Sequence, residues 1–144
     1  MILESGSAER TIAIARELAE RQPDCPAYYL EGDLGAGKTL FTKGLAGFYG
    51  IDAGIVVSPT FALVNRYSPY RGGSRVIYHI DLYRIEDERE LVELGIEEME
   101  DEGALLVVEW AEKLGRLRRS DATLVRFEVT GEHQRRISID EDDT

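Results

Sequence analysis

A glycine-rich segment at residues 32–39 has the residue types and spacing to bind a nucleoside triphosphate. It reads Gly-Asp-Leu-Gly-Ala-Gly-Lys-Thr and matches the P-loop pattern G-x4-G-K-[ST]. The glycines let backbone N–H groups turn towards a β-phosphate, Lys38 would reach the β- and γ-phosphates, and the Thr39 hydroxyl would bind Mg²⁺. An apolar strand-like run precedes the motif and a helical pattern follows it, which is the context it needs. Nucleotide binding is therefore favoured over a mere glycine-rich turn with an exposed lysine.

Two acidic residues stand where a P-loop site needs a carboxylate, at the end of a buried strand. Glu109 follows the apolar run 104–108, and Asp81 follows the run 76–80. Either carboxylate would hold Mg²⁺, directly or through water, or orient the attacking water. Acidic residues also occur at strand ends simply because the chain meets solvent there. The sequence leaves open which of the two acts on the water.

The sequence disfavours guanine recognition. A GTPase usually reads its base with an Asn/Thr-Lys-x-Asp loop, whereas the single asparagine, Asn65, is followed by Arg-Tyr. A small-molecule kinase would instead need a lid that carries arginines. Residues 116–119 hold three arginines, but such a cluster is more typical of a solvated helix face.

The remaining histidines and aromatic residues have structural interpretations. His79 and His133 lie far apart with no cysteine cluster, so we expect a hydrogen-bonded strand histidine rather than a metal site at residue 79. Trp110 could either pack in the core or line the site. Without a basic patch, five tyrosines are expected in the core and sheet: Tyr28, Tyr29, Tyr67, Tyr78 and Tyr83.

The elements that must position these residues alternate between strands and helices. Helices are predicted at 5–21, with Ser7 as a possible N-cap, at 39–48 and at 86–94 before Gly95. Strands or extended segments are predicted at 27–30, 55–57, 61–67, 75–80, 104–108, 123–129 and 136–139, and residues 68–74 form a hairpin loop. We expect one α/β domain over residues 1–144, a P-loop NTPase-like sheet with helices on both faces, and a flexible acidic end at 140–144.

Composition limits the function classes further. The 144 residues carry 17 Lys+Arg and 28 Asp+Glu, a net charge of −11, so a broad nucleic-acid-binding face is not expected and any phosphate site must be local. Cys25 is the only cysteine and cannot form an internal bridge, which favours a reducing, cytoplasmic setting. The longest apolar run, 104–108, is far shorter than the roughly 20 residues of a membrane span. Neither a membrane span nor an export signal is expected.

Four further short motifs accompany the P-loop in a fixed order: Ser58-Pro-Thr-Phe61 with Leu63-Val64, His79-Ile-Asp-Leu-Tyr-Arg84, Glu93-Leu-Gly95 and Val107-Val-Glu-Trp110. With them the chain resembles the TsaE family, also called YjeE, from about Ser5 to Ile139. This resemblance implies a small bacterial P-loop ATPase required for threonylcarbamoyladenosine modification of tRNA. The chain departs from the family pattern at Leu40, where threonine is usual, and at Ala111, where proline is usual.

The resemblance also implies roles for particular residues. It makes residues 58–61 a nucleotide-sensing switch loop, puts Asp81 on the γ-phosphate side of the site, and assigns Mg²⁺ to Thr39 and Glu109. Lys38, Asp81 and Glu109 are the predicted catalytic residues. The residues predicted to contact ATP are Thr11, Asp33, Leu34, Gly35, Ala36, Gly37, Lys38, Thr39, Leu40, Thr60 and Trp110, with Thr11 near the adenine.

Three hypotheses about function follow. The first is a weak Mg²⁺-dependent ATPase that resets a complex of TsaD and TsaB, partners implied by the resemblance, and that meets tRNA only through them. The second is a small-molecule kinase, for which ATP consumption would depend on an added hydroxyl substrate. The third is a nucleotide-gated binding module without meaningful turnover.

Overall fold

A computed structural model describes residues 1–33, 35–59, 63–70 and 75–140 of the chain. These residues form seven strands, four α-helices and two 3₁₀ segments. In chain order they are β1 (Ile2–Ser5), α1 (Ala8–Arg21), β2 (Ala27–Glu31), α2 (Lys38–Phe48), a 3₁₀ turn (Ala53–Ile55), β3 (Val64–Tyr67), β4 (Ile77–Asp81), α3 (Glu88–Leu94), α4 (Ile96–Asp101), β5 (Leu105–Glu109), a 3₁₀ segment (Ala111–Leu117), β6 (Thr123–Val129) and β7 (Arg135–Asp140).

The strands form one mixed sheet in the order β1-β7-β6-β2-β5-β4-β3. Its centre is parallel, because β2 pairs in parallel with both β5 and β6, and β5 pairs in parallel with β4. The outer pairs, β1 with β7, β6 with β7 and β3 with β4, are antiparallel. The carboxyl ends of β2, β4 and β5 therefore meet at one edge of the sheet, and the P-loop leaves β2 at that edge.

Helices cover both faces of the sheet, as the sequence predicts. Helices α1 and α2 bury one face around Leu18, Phe41 and Leu45, whereas α3, α4 and the second 3₁₀ segment bury the other face. The central strands are apolar on both sides because each side is covered by helices. Helices α1 and α2 touch at Gly44, where an added Cβ would lie 2.6 Å from that of Ala15.

Several predicted elements start or end elsewhere. Residues 2–5 form the edge strand β1 against β7, so the predicted helix start at Ser5 is wrong. The Ser7 prediction is confirmed, since its side chain accepts a hydrogen bond from the Arg10 amide at 3.0 Å and α1 begins at Ala8. Ile55 lies in a 3₁₀ turn instead of an extended segment, because the Asp52 side chain caps the Gly54 amide at 2.9 Å.

The helix that ends at Gly95 is followed at once by α4, which sequence periodicity did not reveal. Gly95 has φ 81° and ψ 35°, a left-handed conformation that ends α3 and redirects the chain. Asp140 pairs with Leu124 in the last strand, so the predicted flexible end does not begin there. Residues 71–74 of the hairpin loop and 141–144 lie outside the described residues. No helix in the described ranges is long and apolar enough to cross a membrane.

Candidate functional site

A cavity of about 630 Å³ lies at the carboxyl edge of β2, β4 and β5, beside the N-terminus of α2. It brings together nine of the predicted site residues, from three separate segments of the chain. They are Asp33, Gly35, Gly37, Lys38, Thr39, Leu40, Asp81, Glu109 and Trp110. Ala36 belongs to the same loop but its side chain is buried, and its amide donates to the Asp33 carbonyl at 3.0 Å. Leu34 and Thr60 lie outside the described residues.

The P-loop backbone takes conformations that glycine permits. Gly35 has φ 80°, and Gly37, the N-cap of α2, has φ 115°. Because Gly37 has no side chain to cap the helix, the first amides of α2 keep their donors for a ligand at this end. A helix N-terminus with free N–H groups and a positive dipole end attracts phosphate.

Lys38 points back across the loop towards the sheet. Its Nζ donates to the Gly32 carbonyl at 2.8 Å and lies 3.3 Å from Oε1 of Glu109. The lysine and the strand-end carboxylate thus form an ion pair at the cavity, with side chains only 15% and 7% exposed. A phosphate group in the cavity would compete with Glu109 for this ammonium group.

Glu109 is held from a second side as well. Its Oε2 lies 2.9 Å from Nε2 of His79, which is completely buried. Burial opposes ionisation of this carboxyl, but the hydrogen bond from His79 and the charge of Lys38 outweigh it, so the pKa of Glu109 lies below its ordinary value. His79 is a hydrogen-bonded strand histidine, as predicted, but sequence reasoning did not identify Glu109 as its partner.

Asp81 lies beside Glu109, directly opposite it in the register of β4 and β5. It is 5% exposed, and its Oδ1 accepts a hydrogen bond from the Tyr83 amide at 2.9 Å. The site therefore contains two carboxylates on neighbouring strands and a threonine hydroxyl at the start of α2. These oxygen donors are of the kind that Mg²⁺ takes, together with water and phosphate oxygens. Within the described ranges, no group of three or more His, Cys, Asp or Glu side chains could hold a metal by itself.

Trp110 lines the cavity and is 42% exposed. Its backbone is left-handed, with φ 62° and ψ 42°, an uncommon conformation for a bulky residue. Tyr83 packs against it at 5.1 Å between ring centroids, and Lys113 Nζ lies 5.9 Å from the Trp110 ring. Tyr83 also lines the cavity and is 57% exposed, so its predicted place in the core is wrong, whereas the other four tyrosines are buried. The reason is that Tyr83 follows β4 in a turn rather than lying within the strand.

Thr11 lies on the other side of the P-loop, in a smaller cavity of about 180 Å³. Its hydroxyl is 2.8 Å from that of Ser5, and the cavity is also lined by Glu132, His133 and Arg135 from the turn between β6 and β7. Gly35, Gly37 and Leu40 line both cavities, so the two flank the same loop. The segment 132–135 carries no sequence signal that pointed to this site.

The arginines of residues 116–119 are engaged in structural contacts. Arg116 binds Glu88 at 2.7 Å, and Arg118 stacks 5.0 Å from the ring centroid of Tyr29. Arg119 binds both Glu100 and Asp121 at 2.8 Å. These contacts argue against a kinase lid, but the predicted helix face is wrong, because Arg118 and Arg119 lie beyond the 3₁₀ segment that ends at Leu117.

The chain is similar to known proteins along most of its length. A family model described as threonylcarbamoyl adenosine biosynthesis protein TsaE matches residues 5–137. Similar proteins named tRNA threonylcarbamoyladenosine biosynthesis protein TsaE include one from Bacillus subtilis, 38% identical over 91% of this chain and 79% of the relative. Another, from Rickettsia conorii, is 35% identical over 92% of this chain and 74% of the relative.

The fold is similar to that of a solved structure. The crystal structure of Bacillus subtilis YdiB superimposes with a TM-score of 0.74 and 28% sequence identity, covering 99% of this chain and 85% of that one. The sheet order, the flanking helices and the P-loop between β2 and α2 make the architecture P-loop NTPase-like, as the sequence predicts.

Proposed function

The chain belongs to the TsaE family, and from that premise we propose that it is a weak Mg²⁺-dependent ATPase acting in threonylcarbamoyladenosine modification of tRNA. The observation that carries the proposal is the convergence of Lys38, Thr39, Asp81 and Glu109 on one cavity at the N-terminus of α2. A phosphoryl-transfer site needs these groups, because its task is to position the phosphates and neutralise their charge.

Each side chain has a separate task in this proposal. Lys38 leaves Glu109 and binds the β- and γ-phosphates, while the first amides of α2 bind the phosphate oxygens. Thr39 and Glu109 would hold Mg²⁺, which when bound would neutralise charge on the phosphates. Either Asp81 or Glu109 orients the attacking water. Residues 58–61, of which Ser58 lines the cavity, respond to the state of the nucleotide.

The smaller cavity, which contains Thr11, supports a binding site for the adenine base of ATP. Thr11 lies there beside residues 132–135, on the side of the P-loop away from the two carboxylates. A nucleotide whose triphosphate follows the loop would have its base on this side. We therefore assign the adenine to the cavity between the N-terminus of α1 and the β6–β7 turn.

The proposal also includes partner proteins that respond to the nucleotide state. TsaD and TsaB homologues would bind this protein in a nucleotide-dependent way, and hydrolysis would reset their complex for another round of modification. With a net charge of −11 the chain repels phosphate backbones, which supports contact with tRNA through these partners rather than directly. A cytoplasmic location suits both tRNA modification and the single unpaired Cys25.

The test is release of phosphate from ATP by the wild-type chain and by Lys38→Ala, each with and without TsaD and TsaB. We expect slow release by the wild type alone, faster release with both partners, and background release by the variant. Background release from the wild type in every mixture, with partner binding that persists on a non-hydrolysable ATP analogue, would replace the ATPase by a nucleotide-gated binding module. Release that requires an added hydroxyl compound would replace it by a kinase.

A further inference from the structure

A line of hydrogen bonds, buried where it starts, runs from the candidate metal carboxylate through His79 and Tyr67 to the backbone of the exposed residue Val57. It starts at Oε2 of Glu109, which lies 2.9 Å from His79 Nε2. The other ring nitrogen of His79, Nδ1, lies 3.4 Å from the Tyr67 hydroxyl. That hydroxyl donates to the Val57 carbonyl at 2.9 Å and accepts from the Val57 amide at 3.1 Å. The line thus ends one residue before Ser58, which lines the cavity.

The position of His79 in the sheet does not by itself require a histidine. It lies on β4, opposite Asn65 of β3 and Val107 of β5, and it is completely buried. A buried imidazole costs free energy unless its nitrogens have polar partners, and here Nε2 has Glu109 and Nδ1 has the Tyr67 hydroxyl. An ionised carboxylate only accepts hydrogen bonds, so Nε2–H of His79 donates the hydrogen bond to Glu109. An apolar side chain would fill the same position at less cost if packing were its only role.

The two oxygens of Glu109 face different surroundings. Oε1 faces the cavity and Lys38 at 3.3 Å, whereas Oε2 faces the interior and His79. When Lys38 turns to a phosphate, as the proposed function requires, Oε1 loses its partner and Oε2 keeps its own. The carboxylate then stays in place through His79 alone.

We propose that His79 is a positioning residue that aims Glu109 at Mg²⁺ and, through Tyr67, ties the same carboxylate to the backbone that precedes Ser58. The first part rests on the proposed function, since it assumes that Glu109 holds the metal. Partners that orient a ligating side chain typically change metal affinity by about 10- to 100-fold when they are replaced. The second part concerns the protein without nucleotide and stands independently of ATP hydrolysis.

The test uses two polar replacements of His79, each of which keeps the contact of one ring nitrogen and removes the contact of the other. In His79→Gln the side-chain amide reaches the position of Nε2 and keeps the bond to Glu109. In His79→Asn the shorter amide reaches only the position of Nδ1 and keeps the bond to Tyr67. Tyr67→Phe removes the hydroxyl and leaves the pair of His79 and Glu109 intact.

The first measurement is ATP affinity as a function of Mg²⁺ concentration. His79→Asn is expected to raise the Mg²⁺ concentration for half-maximal effect by about 10- to 100-fold. His79→Gln and Tyr67→Phe should stay within a few-fold of the wild type. ATP affinity without Mg²⁺ should be similar in all four proteins, which separates a metal effect from general damage to the fold.

The second measurement is hydrogen exchange of the Val57 amide in the protein without nucleotide. Tyr67→Phe should speed this exchange most, because it removes the acceptor of that amide. In His79→Gln the hydroxyl loses the ring but keeps Asn65 and Val57 as partners, so the exchange rate should lie between those of Tyr67→Phe and the wild type. His79→Asn should keep exchange close to the wild-type rate. The two measurements therefore rank the variants in opposite orders.

If His79→Asn and His79→Gln need the same Mg²⁺ concentration for the half-maximal effect, the positioning role is overturned. This holds whether that concentration equals the wild-type value or is raised in both variants. Equal exchange at Val57 in all four proteins would overturn the link through Tyr67. If the histidine variants do not fold, Tyr67→Phe decides: faster Val57 exchange supports the link and unchanged exchange refutes it. A wild-type chain that binds no ATP would refute the proposed function instead, and the exchange comparison would still test the link.

Discussion

Replacing Lys38 by alanine should weaken MgATP binding strongly while leaving the fold intact. Lys38 Nζ contacts the Gly32 carbonyl at 2.8 Å and Glu109 at 3.3 Å, and Lys38 lines the cavity where the phosphates would lie. A hydrogen bond to a charged group contributes about 1.5–3 kcal/mol, and each 1.4 kcal/mol is about tenfold, so the expected loss of affinity is about 10- to 150-fold.

The structure favours the lower part of that range. In the wild type, Lys38 must give up its ion pair with Glu109 to bind a phosphate, and the loss of this pair offsets part of the new contact. In Lys38→Ala, Glu109 keeps His79 on the interior side. The fold itself should persist, because the lysine is not part of either apolar core.

Lys43→Ala is the matched control. Lys43 lies on the same helix, but its Nζ donates to the Ala53 carbonyl at 2.8 Å, away from the cavity. Titration calorimetry with excess Mg²⁺ should give near wild-type affinity for this variant, and thermal melting should show that both variants are folded. Unchanged affinity in Lys38→Ala, or an equal loss in Lys43→Ala, would refute the assignment of Lys38 to the phosphates.

Four other expectations follow from the same structure. Glu109→Ala and Asp81→Ala should reduce ATP turnover more than ATP binding. Each removes negative charge beside the triphosphate, which preserves binding, and each removes a group that places the metal or activates the water, which slows turnover. Multiple-turnover tRNA modification at the wild-type rate by both variants would contradict this. Trp110 emission should change when MgATP is added, since the ring lines the cavity at 42% exposure; a flat titration with binding confirmed independently would contradict it. Gly44→Ala should lower the melting temperature, since overpacking costs about 1–3 kcal/mol and each kcal/mol is about 2–4 °C, whereas Gly47→Ala meets only the flexible end of Arg16 and should not. Adenine nucleotides should displace a bound probe better than guanine nucleotides, and equal displacement by GDP would reverse the base assignment.

Local features of the sequence were predictable because they depend on neighbours along the chain. The P-loop at residues 32–39, the Ser7 cap and the stop at Gly95 each follow from the backbone preferences of the residues present. The apolar runs before Asp81 and Glu109 place both acids at strand ends for the same reason. Motif order along the chain carried the family assignment, which the comparisons support.

The sequence by itself therefore determined the type of fold, the phosphate loop and the two acidic candidates, since these follow from local composition and periodicity. The tertiary structure alone decided which side chains meet. His79 joins Glu109 because β4 and β5 are neighbours in parallel register, and Thr11 faces residues 132–135 because α1 packs beside the β6–β7 turn. The pairing of edge strand β1 with β7 joins residues 130 or more positions apart, and no local pattern encodes such a distance. Contacts of this kind depend on strand order and helix packing, which are set by burial of the whole core.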